Sequence, residues 1–225
     1  MEKNRLEYYL QYMMSLIGGF LGAYALLNYH GLFGSAQTSN LIYLVGNILG
    51  RNFGELLLRL LVLFAYICGL IGAVIVSRND KLNLQVCSVF FDILAVILMS
   101  IMPKGINDFV VLCPVFFATA FQWYSFKGAD GYASSSIFST NNLRQFVTSF
   151  FEYLCDKEDS YLNKAKYYGG VLLYYHIGVA VSYISYVVMD ARGILICLLP
   201  LAGALLLVCS KEGTIKLPGV LKSHS

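Results

Sequence analysis

Six long apolar stretches constrain the fold of this chain more than any other feature of its sequence. An α-helix needs about 20 mainly apolar residues to cross the hydrocarbon core of a bilayer. Short charged or turn-forming breaks separate several of the stretches, which predict an all-α integral membrane protein. The stretches lie near residues 8–28, 55–77, 84–102, 108–125, 166–189 and 193–210.

The composition excludes a soluble domain. Of the 225 residues, 58% are hydrophobic and 13% are charged, about half the charged share of a typical soluble domain. We therefore expect residues 1–225 to form one polytopic membrane domain. The basic residues are scattered rather than clustered, which argues against a nucleic-acid partner. Five of the six cysteines lie inside apolar runs without a CxxC pair, so neither a disulfide framework nor a metal site is expected.

Two shorter segments lie near residues 40–51 and 142–155. The number of spans is six if neither crosses the membrane and eight if both do. Twelve to fourteen helical residues cover only about 20 Å, so these segments are half-helices, re-entrant segments or short tilted spans. Residues 142–155 place apolar side chains on one helical face and Arg144, Thr148 and Glu152 on the other. That pattern is typical of an interfacial helix lying flat, or of a half-helix whose polar stripe faces a cavity.

The chain also has the pattern of a two-fold internal repeat, with repeat 1 at about 8–102 and repeat 2 at about 108–210. Each short segment opens on a polar triplet, and the two triplets are 102 residues apart. Each follows a long apolar helix and a loop containing glycines. Paired interrupted helices at matching positions indicate a transporter-type binding site. The residues are Thr38, Ser39 and Asn40 with Gly31 and Gly34, and Thr140, Asn141 and Asn142 with Gly128 and Gly131.

The triplets have two interpretations. Their side chains suit the N-cap of a helix, which would suffice at a membrane surface. At membrane depth, two helix N-termini facing one cavity would favour an anionic or strongly polar solute. Arg144 lies in the first turn of the second short helix, where a cation opposes the helix dipole. It needs Asp130, Asp92 or a bound anion as a partner, unless it extends to lipid headgroups.

Other polar residues lie inside the apolar runs. Asp92 is predicted to couple transport to a proton or ion, or to pair with a Lys or Tyr. His176 is a second candidate for proton coupling, or a hydrogen-bonded packing residue. Gln122 is a candidate cavity-lining residue. The glycines at 18 and 22, and at 46, 50 and 54, predict close helix packing, with homodimerisation as the alternative.

The distribution of basic residues predicts that both termini are cytoplasmic. With eight spans, eleven basic residues fall inside and five outside; with six spans, the numbers are twelve and four. Both counts agree with the positive-inside rule, so charge does not choose between them. The first helix is too long for a signal-peptide core and is expected to stay in the membrane.

Two motifs give the chain a family resemblance. The first combines residues 18–24 (GGFLGAY) with 31–40 (GLFGSAQTSN), and the second combines 121–132 (FQWYSFKGADGY) with 139–144 (STNNLR). They resemble the YoaK-type family of uncharacterised bacterial inner-membrane proteins, which implies a multi-pass protein of the cytoplasmic membrane. That family has Thr-Gly-Asn in each half, where Ser39 and Asn141 replace the glycine here. It usually has an acidic residue where Gly22 stands, and it brings no established activity.

These patterns predict a membrane transporter or permease for a small polar or anionic solute, bound between two half-helix N-termini. A channel of the same architecture is one alternative. A non-transport scaffold or enzyme subunit is another, although the sequence has no HExxH, GxSxG or phosphate-loop motif. We therefore predict no catalytic residue and no cofactor; the expected partners are the bilayer and the solute.

Overall fold

The computed structural model describes residues 2–29, 32, 34, 37–103 and 105–211. Four residues used in the sequence-based predictions lie outside these ranges. They are Gly31, and Lys104, Lys216 and Lys222 from the count of basic residues. The described chain is all-α, as predicted, apart from one small hairpin. Its helices are α1 (Glu2–Asn28), α2 (Gln37–Leu49), α3 (Phe53–Ser77), α4 (Leu84–Ile101), α5 (Asp108–Ser125), α6 (Thr140–Asp156), α7 (Asp159–Met189) and α8 (Leu198–Lys211), with a 3-10 segment at Asp190–Cys197 before α8.

Four stretches of the described chain are long and apolar enough to cross a membrane, which indicates a membrane protein. They are Arg5–Asn28, Phe53–Ser77, Leu84–Ile101 and Asp159–Lys211, the last of which contains α7, the 3-10 segment and α8. The predicted span 108–125 forms α5 but is not among the four. Pro114 and the polar end of the helix from Gln122 onward lower its hydropathy.

Asparagine side chains define the starts of three helices. Asn52 accepts a hydrogen bond from the Glu55 N–H at the start of α3, and Asn83 accepts one from Val86 before α4. Asn107 does the same for α5. An N-cap side chain satisfies one of the backbone donors that a helix leaves free, so these residues fix where the chain turns into each helix.

The two closest helix pairs run parallel. Along α1 and α7, Tyr8 contacts Tyr167, Gly19 meets Tyr175, and the Tyr24 hydroxyl reaches the carbonyl of residue 190. Contacts therefore advance in the same direction on both helices.

The α3–α5 pair has the same arrangement. Arg59 lies over the Phe109 ring, Gly69 meets Phe117, and Ser77 is bonded to Tyr124. By contrast, α1 and α5 run antiparallel. Gln122, near the end of α5, donates to the Met14 carbonyl, whereas Ala25, near the end of α1, and Val115, in the first half of α5, both lie beside Gly34.

The glycine series at 46, 50 and 54 does not pack against another helix, which corrects that prediction. A Cβ at Gly46 in α2 or at Gly54 in α3 would meet nothing within 4 Å, and both glycines are exposed. The close approaches involve other glycines, including Gly19, Gly69 and Gly178, where a Cβ would overlap the backbone of a neighbouring helix. The spacing of glycines along the sequence does not by itself predict which of them pack against a neighbouring helix.

A hairpin follows α5 and was not predicted. Its strands, β1 (Gly128–Ala129) and β2 (Tyr132–Ala133), are antiparallel. Asp130 and Gly131 have φ values of 52° and 80°, as the Asp-Gly turn of a tight hairpin requires. The Ala129 N–H donates to the Tyr167 hydroxyl at 3.0 Å, so the hairpin is attached to α7.

Candidate functional site

The chain re-enters the helix bundle between the hairpin and α6. Gln122 donates from Nε2 to the Met14 carbonyl and to the Ser136 hydroxyl, both at 2.9 Å. The backbone of Ser136 packs so closely on Gly18 that a Cβ there would overlap its carbonyl oxygen. Since Gly18 lies in the interior of α1, this loop reaches well into the length of that helix. Gln122, predicted to line a cavity, instead holds the loop.

Asn142 closes the same loop. Its side chain is 1% exposed. It donates to the carbonyls of Ser135 and Phe138, at 2.7 and 2.9 Å, and accepts from the Ser135 N–H at 3.3 Å. The second triplet is therefore not an N-cap, which corrects that interpretation. Ser139 occupies the N-cap position, and its side chain forms no capping hydrogen bond.

Replacing Asn142 by Ala is expected to destabilise the protein by about 2 kcal/mol or more, because two buried carbonyls lose their donor. The midpoint of thermal unfolding in detergent should fall by several degrees. Asn141 is exposed, so Asn141→Ala is the matched control and should leave that midpoint unchanged. Equal midpoints for the two variants would contradict the anchoring role of Asn142.

The first triplet also lies inside its helix, because α2 already begins at Gln37. Asn40 is buried and donates to the Gln37 side chain at 2.9 Å and to the Arg59 carbonyl at 3.3 Å, which ties α2 to α3. Just before α2, the Gly34 carbonyl accepts from Thr119 at 3.1 Å. Thr119 lies in the interior of α5, so Gly34 lies beside the middle of that helix.

The beginnings of α2 and α6 line one open cavity of about 610 Å³. The remaining wall comes from Tyr175, near the middle of α7. The lining residues are Thr38, Phe138, Ser139, Thr140, Asn141, Arg144 and Tyr175. Hydroxyls, one amide and one guanidinium thus face a single space, with no carboxylate among the lining residues. Such a lining suits a small polar or negatively charged group.

Arg144 has no acidic partner among the described residues. Its Nη2 donates to the Asn141 Oδ1 at 3.0 Å. Neither carboxylate considered from the sequence pairs with it: Asp130 accepts from the Tyr8 hydroxyl at 3.1 Å, and Asp92 is buried within α4. The α6 N-terminus, without a side-chain cap, adds positive dipole character to the same end of the cavity.

The remaining sequence candidates do not line this cavity. Ser39 is exposed on α2. His176 is exposed on α7, where its Nδ1 is bonded to the Leu172 carbonyl at 2.8 Å and its ring contacts Tyr175. Asp92 lies on the buried face of α4. The two residues predicted to couple protons or ions are therefore separate from the cavity lining.

One charged cluster was missed by the sequence reasoning. Arg59 is 7% exposed and forms an ion pair with Glu55 at 2.5 Å. Its guanidinium lies 4.2 Å from the centre of the Tyr43 ring and 5.1 Å from that of Phe109. A cavity of about 340 Å³ adjoins it, lined by Leu32, Glu55, Arg59, Asn107, Asp108 and Phe109. The available signal was an acid and a base four residues apart in an apolar helix.

Comparison with known proteins adds a family but no activity. No curated protein and no solved structure matches the chain significantly. The model of the family described as protein of unknown function DUF1275 matches residues 10–209. Since this match covers both triplets and nearly every described helix, the chain belongs to the DUF1275 family.

Proposed function

We propose that this protein is a membrane transporter, a permease for a small polar or anionic solute that binds between the first turns of α2 and α6. One observation carries the proposal: Thr38 and Thr140, 102 residues apart, line the same cavity. Arg144 in that cavity has no carboxylate partner among the described residues. A cation without a partner beside an uncapped helix N-terminus attracts a negative group.

We further propose that the two halves are related by inverted two-fold symmetry, with repeats at about 8–102 and 108–210. The packing supports this: α1 pairs with α7 as α5 pairs with α3, and the first helices of the halves, α1 and α5, run antiparallel. Because α3 is parallel to α5, it begins where α1 ends. By the same reasoning, α7 begins on the side of the bundle where α5 ends. Because the helices before and after α2 meet on one side of the bundle, α2 enters and leaves on that side, and α6 does the same on the opposite side. The result is six crossings and two re-entrant half-helices.

The orientation and the membrane follow from the sequence. With six crossings, the positive-inside rule puts both termini in the cytoplasm. Membership of the DUF1275 family is compatible with the YoaK-type resemblance, and we place the protein in a bacterial cytoplasmic membrane on that basis.

Labelling of introduced cysteines tests this topology, with the Cys155→Ser background alone as the control for labelling of the five native cysteines that remain. In a Cys155→Ser background, Arg51→Cys is expected to react with a membrane-impermeant maleimide added outside intact cells, and Lys81→Cys only after the cells are opened. Both positions are exposed. Eight crossings would give the reverse pattern, because each additional span inverts the side of the following loop. A reporter fused at residue 225 that is active only outside the cytoplasm would contradict the predicted termini.

The solute class is tested with purified protein in nanodiscs. Phosphate, sulfate, nitrate and small carboxylates are added singly, and neutral polar solutes serve as the comparison. A solute that binds the folded state raises its unfolding temperature by mass action. A solute identified in this way is then tested for uptake into proteoliposomes. Saturable uptake, together with counterflow of the labelled solute, supports a transporter, whereas unitary currents would indicate a channel of the same architecture. Absence of stabilisation by every solute in the panel would contradict the proposal.

A further inference from the structure

Asp92 is the most isolated charged side chain in the described chain. It is 0% exposed, and neither carboxylate oxygen has a hydrogen-bond partner. It lies on the buried face of α4, which packs against α5, the 3-10 segment and α8. A buried carboxylate without a hydrogen-bonding or oppositely charged protein partner is strongly disfavoured as a bare anion. Some positive species must therefore accompany it.

Ser88 lies one turn before Asp92 on the same face. It is also 0% exposed, and its hydroxyl has no partner. Positions four residues apart on a helix are neighbours, so three oxygen atoms without a hydrogen-bond partner among the described residues lie on one buried face of α4. The buried Ser125 and Ser15 bond to the carbonyl four residues earlier, whereas Ser149 and Ser182, like Ser88, have no partner among the described residues.

Within the part of the chain that the structure describes, no Lys, Arg or His pairs with Asp92. Cys197 lies in the 3-10 segment that packs against α4; it is buried and is uncharged as a thiol. The charged residues of the elements packed against α4 lie near the ends of those elements, and Arg59 and Lys211 pair with Glu55 and Glu7. They are Glu55 and Arg59 in α3, Asp108 in α5, Asp190 and Arg192 in the 3-10 segment, and Lys211 in α8.

We propose that Asp92 and Ser88 form a binding site for a small monovalent cation, a proton or a sodium ion, between α4 and the 3-10 segment. The site lies apart from the solute cavity, to which neither residue contributes. Its use as the coupling site rests on the proposed transport function, whereas cation binding itself does not.

Two measurements on nanodisc protein identify the cation. If it is a proton, the infrared spectrum of the wild type contains the C=O band of a protonated, buried carboxyl group, and Asp92→Asn lacks this band. If it is sodium, replacing choline by Na⁺ at constant ionic strength raises the wild-type unfolding temperature saturably, by roughly 5 °C. Asp92→Asn should abolish that rise.

Two further variants complete the test. Ser88→Ala should shift the infrared band or weaken the Na⁺ response. Ser100→Ala, on the same helix but bonded to the Ile97 carbonyl, should change neither. Arg144→Gln should keep the cation signal, which separates failure of this site from failure of the solute site. A wild type with neither the carboxyl band nor a Na⁺ response would overturn the proposal, even if Asp92→Asn failed to fold.

Discussion

Replacing Arg144 by Gln is expected to abolish the stabilisation that an anionic solute gives to the wild-type protein, while leaving the fold intact. Arg144 is exposed to the cavity and hydrogen-bonds only to Asn141 among the described residues, so its removal breaks little internal structure. A hydrogen bond to a charged group contributes about 1.5–3 kcal/mol, which corresponds to roughly 10- to 150-fold in affinity. Titration of the unfolding temperature with the solute measures this difference.

The control is another exposed arginine outside the cavity. Arg78 caps the end of α3, and Arg78→Gln should leave solute binding unchanged. Arg144→Lys should retain part of the affinity, because it keeps the charge but loses the planar donor geometry of the guanidinium. If Arg144→Gln bound the solute with wild-type affinity, the anion-binding role would be wrong. Arg144 would then be interpreted as an arginine that extends to lipid headgroups.

Most helix positions could be predicted from the sequence because a membrane-spanning helix is specified by its own apolar residues. The predicted stretch 55–77 corresponds to α3 at Phe53–Ser77, and 84–102 to α4 at Leu84–Ile101. Both short helices were also found near their predicted positions. The starts of both short helices line one cavity, which includes Thr38, Thr140 and Asn141 of the predicted triplets. That a solute binds there stays a prediction.

The roles of individual side chains were harder to predict, because they depend on which backbone lies opposite. Asn142 was expected to cap a helix but binds a preceding loop that folds back onto it. Gln122 was expected to line a cavity but bridges α1 and that loop. The Arg59–Glu55 pair received no role, because the sequence does not show that Tyr43 and Phe109 lie against the guanidinium. In each case a loop conformation or a helix neighbour decided the contact.

The parallel packing of α1 on α7 leads to the prediction with the largest effect on stability. A Cβ at Gly178 would overlap the Leu16 carbonyl oxygen, and one at Gly19 would overlap the Tyr175 carbonyl oxygen. Both obstructing atoms belong to helix backbones, so neither can move aside as a flexible side chain would. Gly178→Ala is therefore expected to destabilise the protein by about 3 kcal/mol, near the upper end of overpacking costs.

Gly46→Ala is the matched control for Gly178→Ala. Both glycines lie inside helices, so alanine brings each the same gain in helix propensity, about 1 kcal/mol. Because a Cβ at Gly46 meets nothing within 4 Å, that gain should appear there undiminished, as an unfolding temperature equal to or above that of the wild type. Gly178→Ala should instead unfold roughly 6–12 °C lower, as measured by temperature-dependent size-exclusion chromatography. If Gly178→Ala were as stable as Gly46→Ala, α1 and α7 would not approach backbone to backbone, and the inverted pairing of α1–α7 with α5–α3 would lose its main support.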